Sequence, residues 1–133
     1  MILIEERLTH SVIGAFFEVY KTLGFGFLEH NYALAMELEL RTRGHRVLKQ
    51  LSVPVLYKGV RLSTQRLDMV VDHKLVVEIK STFCLPPTAI RQIYSYLRAT
   101  ELEVGLLLHF GPVPKFYRQV VSKNTQTEDG GSQ

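Results

Sequence analysis

The stretch Leu67-Asp68-Met69-Val70-Val71-Asp72-His73-Lys74-Leu75-Val76-Val77-Glu78-Ile79-Lys80 decides the fold. Two apolar runs flank a short polar turn, the pattern of a hairpin. Each run carries charge inside it: Asp68 lies between Leu67 and Met69, and Glu78 and Lys80 flank Ile79. Residues two apart in a strand share a face, so Glu78 and Lys80 project together while Ile79 goes to the other side. Folding the hairpin about Asp72-His73-Lys74 brings Asp68 near Glu78. Two carboxylates and an ammonium then converge on one end of a sheet.

Moving upstream, residues 60–71 form a strand preceded by a tight turn at Lys58-Gly59. Residues 46–57 form another, in which Pro54 marks an edge or irregular position. Before Gly44 the apolar period lengthens. A helix is expected over 27–43, with Gly44 past its end and Arg41 and Arg43 in a last turn that suits cations. Ile4, Leu8, Val12, Phe16, Val19 and Leu23 recur at helical spacing, and Gly24-Phe25-Gly26 breaks that first helix. Moving downstream, Pro86-Pro87 opens a helix over 88–100. Val104-Gly105-Leu106-Leu107-Leu108 is a strand buried on both faces, and residues 116–121 add an edge strand. The order α-α-β-β-β-α-β predicts an α/β fold: a mixed central sheet with helices on both faces and a right-handed crossover. Residues 1–121 are expected to form a single domain, and 122–133 a polar, disordered tail.

The 133 residues are 46% hydrophobic and 22% charged, which suits one globular core. A formal charge of +3 and a pI near 9.1 are compatible with a polyanionic partner. The single cysteine, Cys84, has no intrachain partner. Glu5 and Glu6 interrupt any secretory signal, and no apolar run is long enough to span a membrane, so a cytoplasmic location is expected. No Gly-rich phosphate loop ending in Lys-Ser/Thr is present, which disfavours nucleoside triphosphate hydrolysis. The five histidines lack metal-ligand spacing.

Holding two acids together is costly, because each opposes the ionisation of the other. A hard divalent cation such as Mg²⁺ or Mn²⁺ resolves the conflict and retains waters and phosphate oxygens as further ligands. Such an ion stabilises a phosphoryl transition state and acidifies a bound water. Lys80 would orient or deprotonate that water, or offset developing negative charge. Asp68, Glu78 and Lys80 thus compose a site for phosphodiester hydrolysis.

Asp68 followed by Glu78-x-Lys80 on the next strand resembles the PD-(D/E)XK nuclease core. Gln92-Ile93-Tyr94-Ser95-Tyr96 is similar to the Gln-x-x-x-Tyr helix motif of RecB-like members, which implies that Gln92 and Tyr96 flank the metal site and position the substrate. Gly26-x-x-Glu29-x-x-Tyr32 resembles the signature of the small GxxExxY family, grouped with those nucleases, as do Val53-Pro54-Val55-x-Tyr57-Lys58-Gly59 and Arg66-Leu67-Asp68. By analogy with helix-borne acids in related nucleases, Glu29 is the candidate third metal carboxylate beside Asp68 and Glu78. The chain departs from the family's usual pattern in three places. Tyr20 stands where His is common, Ser63-Thr64-Gln65 where a Gly-aromatic pair is commoner, and Thr88-Ala89-Ile90-Arg91 replaces a more polar lead-in to Gln92.

Simpler accounts stand beside these. Asp68, Glu78 and Lys80 could be a solvated strand face with a surface ion pair. Glu29 is equally a first-turn acid favoured by the helix dipole. Gln92 and Tyr96 could be a helix edge, and Arg66 could touch phosphate or only pair with a carboxylate. The function expected is a metal-dependent nuclease acting on nucleic acid, DNA first. The alternative is a catalytically silent module that binds nucleic acid or protein, and a third reading is a hydrolase of smaller phosphorylated substrates. A homodimer is compatible with the sequence, though no residue specifies one.

Overall fold

The computed structural model describes residues 4–123. Helices α1 (Glu6–Leu23) and α2 (Glu29–Thr42) precede a meander of β1 (Val47–Tyr57), β2 (Val60–Val71) and β3 (Leu75–Lys80). Helix α3 (Ala89–Ala99) then crosses to β4 (Val104–Phe110), and β5 (Pro114–Val120) pairs back on it. The strands lie in the order β1-β2-β3-β4-β5, with β3 and β4 parallel and the other pairs antiparallel.

Local chemistry sets the boundaries. The Gly24 N–H bonds Tyr20 O at 2.7 Å and closes α1. Helix α2 ends in a Schellman arrangement: the Gly44 N–H bonds Arg41 O and the His45 N–H bonds Leu40 O, both at 3.0 Å, with Gly44 at φ 88. Lys58 (φ 49) and Gly59 (φ 81) form a two-residue hairpin turn of the primed kind, whose twist matches the strands. Pro54 sits on β1, an edge strand, where its missing N–H costs no interior ladder bond.

Apolar alternation buries both faces of the sheet. Helices α1 and α2 cover Met69, Val71, Leu75, Val77, Ile79 and the same-face residues of β4. Helix α3 covers Val70, Val76 and Leu107 on the other face. It lies so close that a Cβ on Gly105 would meet Ile93 Cγ2 at 2.7 Å. Strand β4 is buried throughout, as its unbroken apolar run requires, and it continues two residues beyond the expected end to Phe110.

The β1–β2 pair departs from strict alternation at one point. Val47 and Met69 belong to the face under α1 and α2, but Leu51 and Leu67 belong to the face under α3. Strict alternation would put all four on one side. The two strands turn over together at Gln50, whose φ is 52, and at Asp68 opposite it. That pair is missing from a ladder that runs Lys49↔Met69 and then Leu51↔Leu67.

At the C-terminal side the chain stays anchored past Val121. The Lys123 N–H bonds Glu103 Oε2 and its Nζ bonds Leu97 O, both at 2.7 Å. The rest of the tail, 124–133, lies outside the described residues.

Candidate active site

The β2–β3 ladder is short, pairing Met69 with Val77, Val70 with Val76 and Val71 with Leu75. Beyond Met69 and Val77 the strands separate, and their unpaired backbone donors would be left in a buried place, which is costly. The two acids fill the gap reciprocally. The Asp68 N–H donates to Glu78 Oε1 at 2.9 Å, and the Ile79 N–H donates to Asp68 Oδ2 at 2.8 Å. Each carboxylate therefore replaces a missing ladder bond with one oxygen and, among the described residues, keeps the other uncommitted.

Glu78 is only 6% exposed. Burial, and then the neighbouring Asp68 charge, push its carboxyl up to about 8, against the pull of the Asp68 N–H and Lys80. Asp68 is also raised, by burial, although the Ile79 N–H, Lys80 and Arg66 oppose it. Lys80 shares the Glu78 face of β3, as the two-residue spacing requires. It makes no ion pair among the described residues, but its charge acts on Asp68, Glu78 and Glu29.

Glu29 enters from α2 at the rim. Its side chain is exposed, yet its carboxyl is raised by desolvation and by Asp68, with Lys80 and the Ser81 N–H pulling it down. The loop before it is pinned. Ser81 Oγ donates to Phe27 O at 2.6 Å, the Tyr32 hydroxyl donates to Gly24 O, and the Phe27 N–H donates to the Tyr32 hydroxyl at 3.2 Å. Tyr32 is fully buried, stacked on Phe110 with centroids 4.1 Å apart. Its three-residue spacing from Glu29 therefore fixes the loop and does not put the phenol in the cleft.

From the other face, α3 presents Tyr96, 5% exposed. Its hydroxyl donates to Arg66 O at the root of the β1–β2 ribbon. Burial, then Glu78 and Asp68, push the phenol up to about 12. Gln92, one turn earlier, is exposed and has no side-chain partner among the described residues. The structure thus brings Asp68, Glu78, Lys80 and Glu29 into one electrostatic cluster, sets Tyr96 within reach of Asp68 and Glu78, and leaves Gln92 at the surface. Cys84 is an exposed loop thiol.

Three neighbours were not among the expected site residues. Gln50 faces Asp68 from β1 and accepts a hydrogen bond from Arg66 Nη2 at 2.9 Å. His30 joins Gln50, Lys49 and Asp68 around a recess of about 70 Å³, which is roomy enough for water. His109 lies opposite Lys80 in the β3–β4 register, 5% exposed, with Nε2 on Thr82 O at 2.9 Å. Gln50 carried no sequence signal, whereas His30 sits inside the Gly26-to-Tyr32 signature and His109 is a lone imidazole in an apolar run.

The donor set suits a hard cation. Buried Glu78 and half-buried Asp68, both with raised pKa values, each keep one oxygen without a hydrogen bond among the described residues, and Mg²⁺-type ions need only one or two protein carboxylates beside water and phosphate oxygens. Among the described residues, no three acidic, imidazole or thiol groups already converge as a ready-made metal cage.

A sequence model of the PD-(D/E)XK nuclease superfamily matches residues 6–121. No curated protein matched. The crystal structure of SSO0001 superposes on 87% of this chain with a TM-score of 0.54 and 18% identity, a likeness of fold. This chain spans 58% of the length of that one. The family match covers α1 to β5 and every residue of the Asp68–Glu78–Lys80 constellation, so this chain belongs to the PD-(D/E)XK nuclease superfamily, whose members are generally nucleases that use divalent metals.

Proposed function

We propose that this chain hydrolyses DNA phosphodiester bonds with Mg²⁺ or Mn²⁺, within the GxxExxY, RecB-like part of the superfamily. The observation that carries the reading is the reciprocal bonding of Asp68 and Glu78 to each other's strand. It fixes both carboxylates without consuming them, so that Asp68 Oδ1 and Glu78 Oε2 remain to hold a cation, with Glu29 reaching in from the rim. When bound, such an ion supplies charge neutralisation at the scissile phosphate and a more acidic water. Lys80, on the Glu78 face, orients the attacking water and offsets the charge that develops on the phosphate. Tyr96 holds the Arg66 carbonyl and so keeps the splayed strands at a fixed spacing, while Gln92 contacts substrate from the exposed edge of α3. The lone reduced-type cysteine supports an intracellular setting.

The test is calorimetric titration of Mn²⁺ into wild type and Glu78→Ala, followed by plasmid and oligonucleotide cleavage with the same samples. Metal binding that disappears in the variant, together with wild-type cleavage, is the expected result. Absence of metal binding in the wild type would leave the two acids as structural ladder substitutes and defeat the proposal. A binding-only module is the second reading. Metal binding without turnover on any nucleic acid would select it.

A further inference from the structure

Beyond the Gln50–Asp68 flip, β1 and β2 leave the body of the sheet as a two-stranded ribbon. Its inner face leans on α3 through Leu51 and Val53. Its outer half is bare: Leu56, Tyr57, Val60 and Leu62 are 58–63% exposed. From Arg46 to Leu67 the sequence holds five cations, Arg46, Lys49, Lys58, Arg61 and Arg66, and no Asp or Glu, in a chain with 13 acidic residues. Lys49 pairs with Glu37 at 3.0 Å. Three of the other ribbon cations have neutral partners: Lys58 lies 5.4 Å over the Tyr57 ring, Arg61 bonds the Thr64 hydroxyl, and Arg66 bonds the Gln50 amide. Arg66 also acts on Asp68, but among the described residues no carboxylate pairs with Lys58 or Arg61, and their charge is left for a partner.

We propose that this ribbon is an arm that grips double-stranded DNA at a distance from the cleaved bond, an inference that rests on the nuclease function proposed for the cleft. The major groove of B-DNA admits a two-stranded ribbon. Asp68 sits on the same strand as Arg61, so the reaction centre and the arm are held on one rigid element. Gly59 lies nine residue steps before Asp68, and at about 3.3 Å per step the tip stands roughly 30 Å from the site, about nine base pairs along a duplex. A second copy of this chain is the poorer occupant. In a two-fold interface the same patch meets itself, which would set Lys58 and Arg61 against like charges.

The test is fluorescence anisotropy in EDTA with labelled duplexes of six and thirty base pairs, comparing wild type with Lys58→Ala/Arg61→Ala. Both positions are exposed and distant from the carboxylates. On the long duplex the variant should bind about tenfold or more weakly, with a salt dependence shallower by roughly two. On the short duplex, which cannot reach from Asp68 to the tip, the two proteins should bind alike. An unchanged affinity and salt slope on the long duplex would overturn the arm, and so would an equal loss on both lengths or tighter wild-type binding to a thirty-nucleotide single strand. Wild-type self-association in sedimentation that Leu62→Asp abolishes would likewise overturn it, making the ribbon a contact between copies. The nuclease reading fails separately, on wild-type cleavage in Mg²⁺ or Mn²⁺. Lost cleavage with length-dependent binding intact supports the arm, whereas cleavage with length-independent binding defeats the arm alone.

Discussion

Asp68 and Asp72 lie four residues apart on one hairpin, and each accepts a backbone N–H across strands: Ile79 for Asp68 and Arg46 for Asp72. Their carboxyls nevertheless move in opposite directions. Burial pushes both up. At Asp72 the Arg46 N–H, His45 and Lys74 overcome it and the pKa falls. At Asp68 the Ile79 N–H, Lys80 and Arg66 pull the same way, but burial outweighs them and the pKa rises. The closed end of the hairpin is a finished structural lock, in which His45 bridges Asp72 and Ser11 at 2.7 Å on each side. The open end is left electrostatically unfinished. A pair of acids at least half buried, held by geometry but not neutralised, is a place where a cation gains the most.

The largest test of that contrast is to remove charge at the open end while keeping shape. Asp68→Asn and Glu78→Gln should each lower metal-dependent cleavage roughly a thousandfold or more, the loss expected when a divalent ion's several kcal/mol of transition-state stabilisation is forfeited. Asp72→Asn should leave the rate constant unchanged. Equal rate losses at both ends would erase the distinction between lock and site.

The next test is pH. Glu78, at about 8 when folded against an ordinary 4.5, keeps a proton that the unfolded chain gives up. That contribution to stability is fully present below the unfolded pKa and is lost as pH rises toward 8, by something on the order of 4 kcal/mol without metal. Metal-free wild type should therefore melt lower at pH 8 than at pH 5, and Glu78→Gln should flatten the difference. Mn²⁺ at pH 8 should restore the wild-type midpoint and leave the variant unmoved. A wild-type midpoint indifferent to pH over that range would mean that Glu78 is ionised and already compensated.

Asp72 has the opposite sign. Its lowered pKa contributes stability above the unfolded value of 3.8 that is lost as pH falls through the folded one. With a side chain 32% exposed, Asp72→Asn should cost only about 1 kcal/mol at pH 7, and the gap to wild type should close in acid. Urea denaturation at pH 7 and pH 3 measures both arms.

The closed end and the meander were legible in the sequence because turn residues and period-two alternation are local signals. Lys58-Gly59 and Asp72-His73-Lys74 fall where expected, and hairpin geometry alone predicted the approach of Asp68 to Glu78. The flip at Gln50 was not legible. A glutamine at φ 52 carries no compositional mark, unlike the glycine at 44, and the flip shows only as one missing ladder pair. Nor could spacing show that Tyr96 would use its hydroxyl on Arg66 O, 30 residues away, or that Tyr32 would pin the Gly24–Phe27 loop. Those partners are chosen by tertiary packing, which local pattern does not encode.

The smallest effect separates Gln92 from Tyr96, which share a helix face one turn apart. Tyr96 is buried and bonded, so Tyr96→Phe should destabilise by about 1 kcal/mol through the unsatisfied Arg66 carbonyl. Gln92 has no partner among the described residues, so Gln92→Ala should leave the melting midpoint within about 0.5 kcal/mol of wild type. Any role it has must then be exercised on substrate. One neutral hydrogen bond made equally to ground and transition states contributes about 1 kcal/mol, which is roughly a fivefold rise in KM at constant kcat when it is removed. Steady-state cleavage kinetics on an oligonucleotide measure this directly. A KM indistinguishable from wild type would take Gln92 out of the site and leave its motif resemblance to Tyr96 as a matter of helix packing alone.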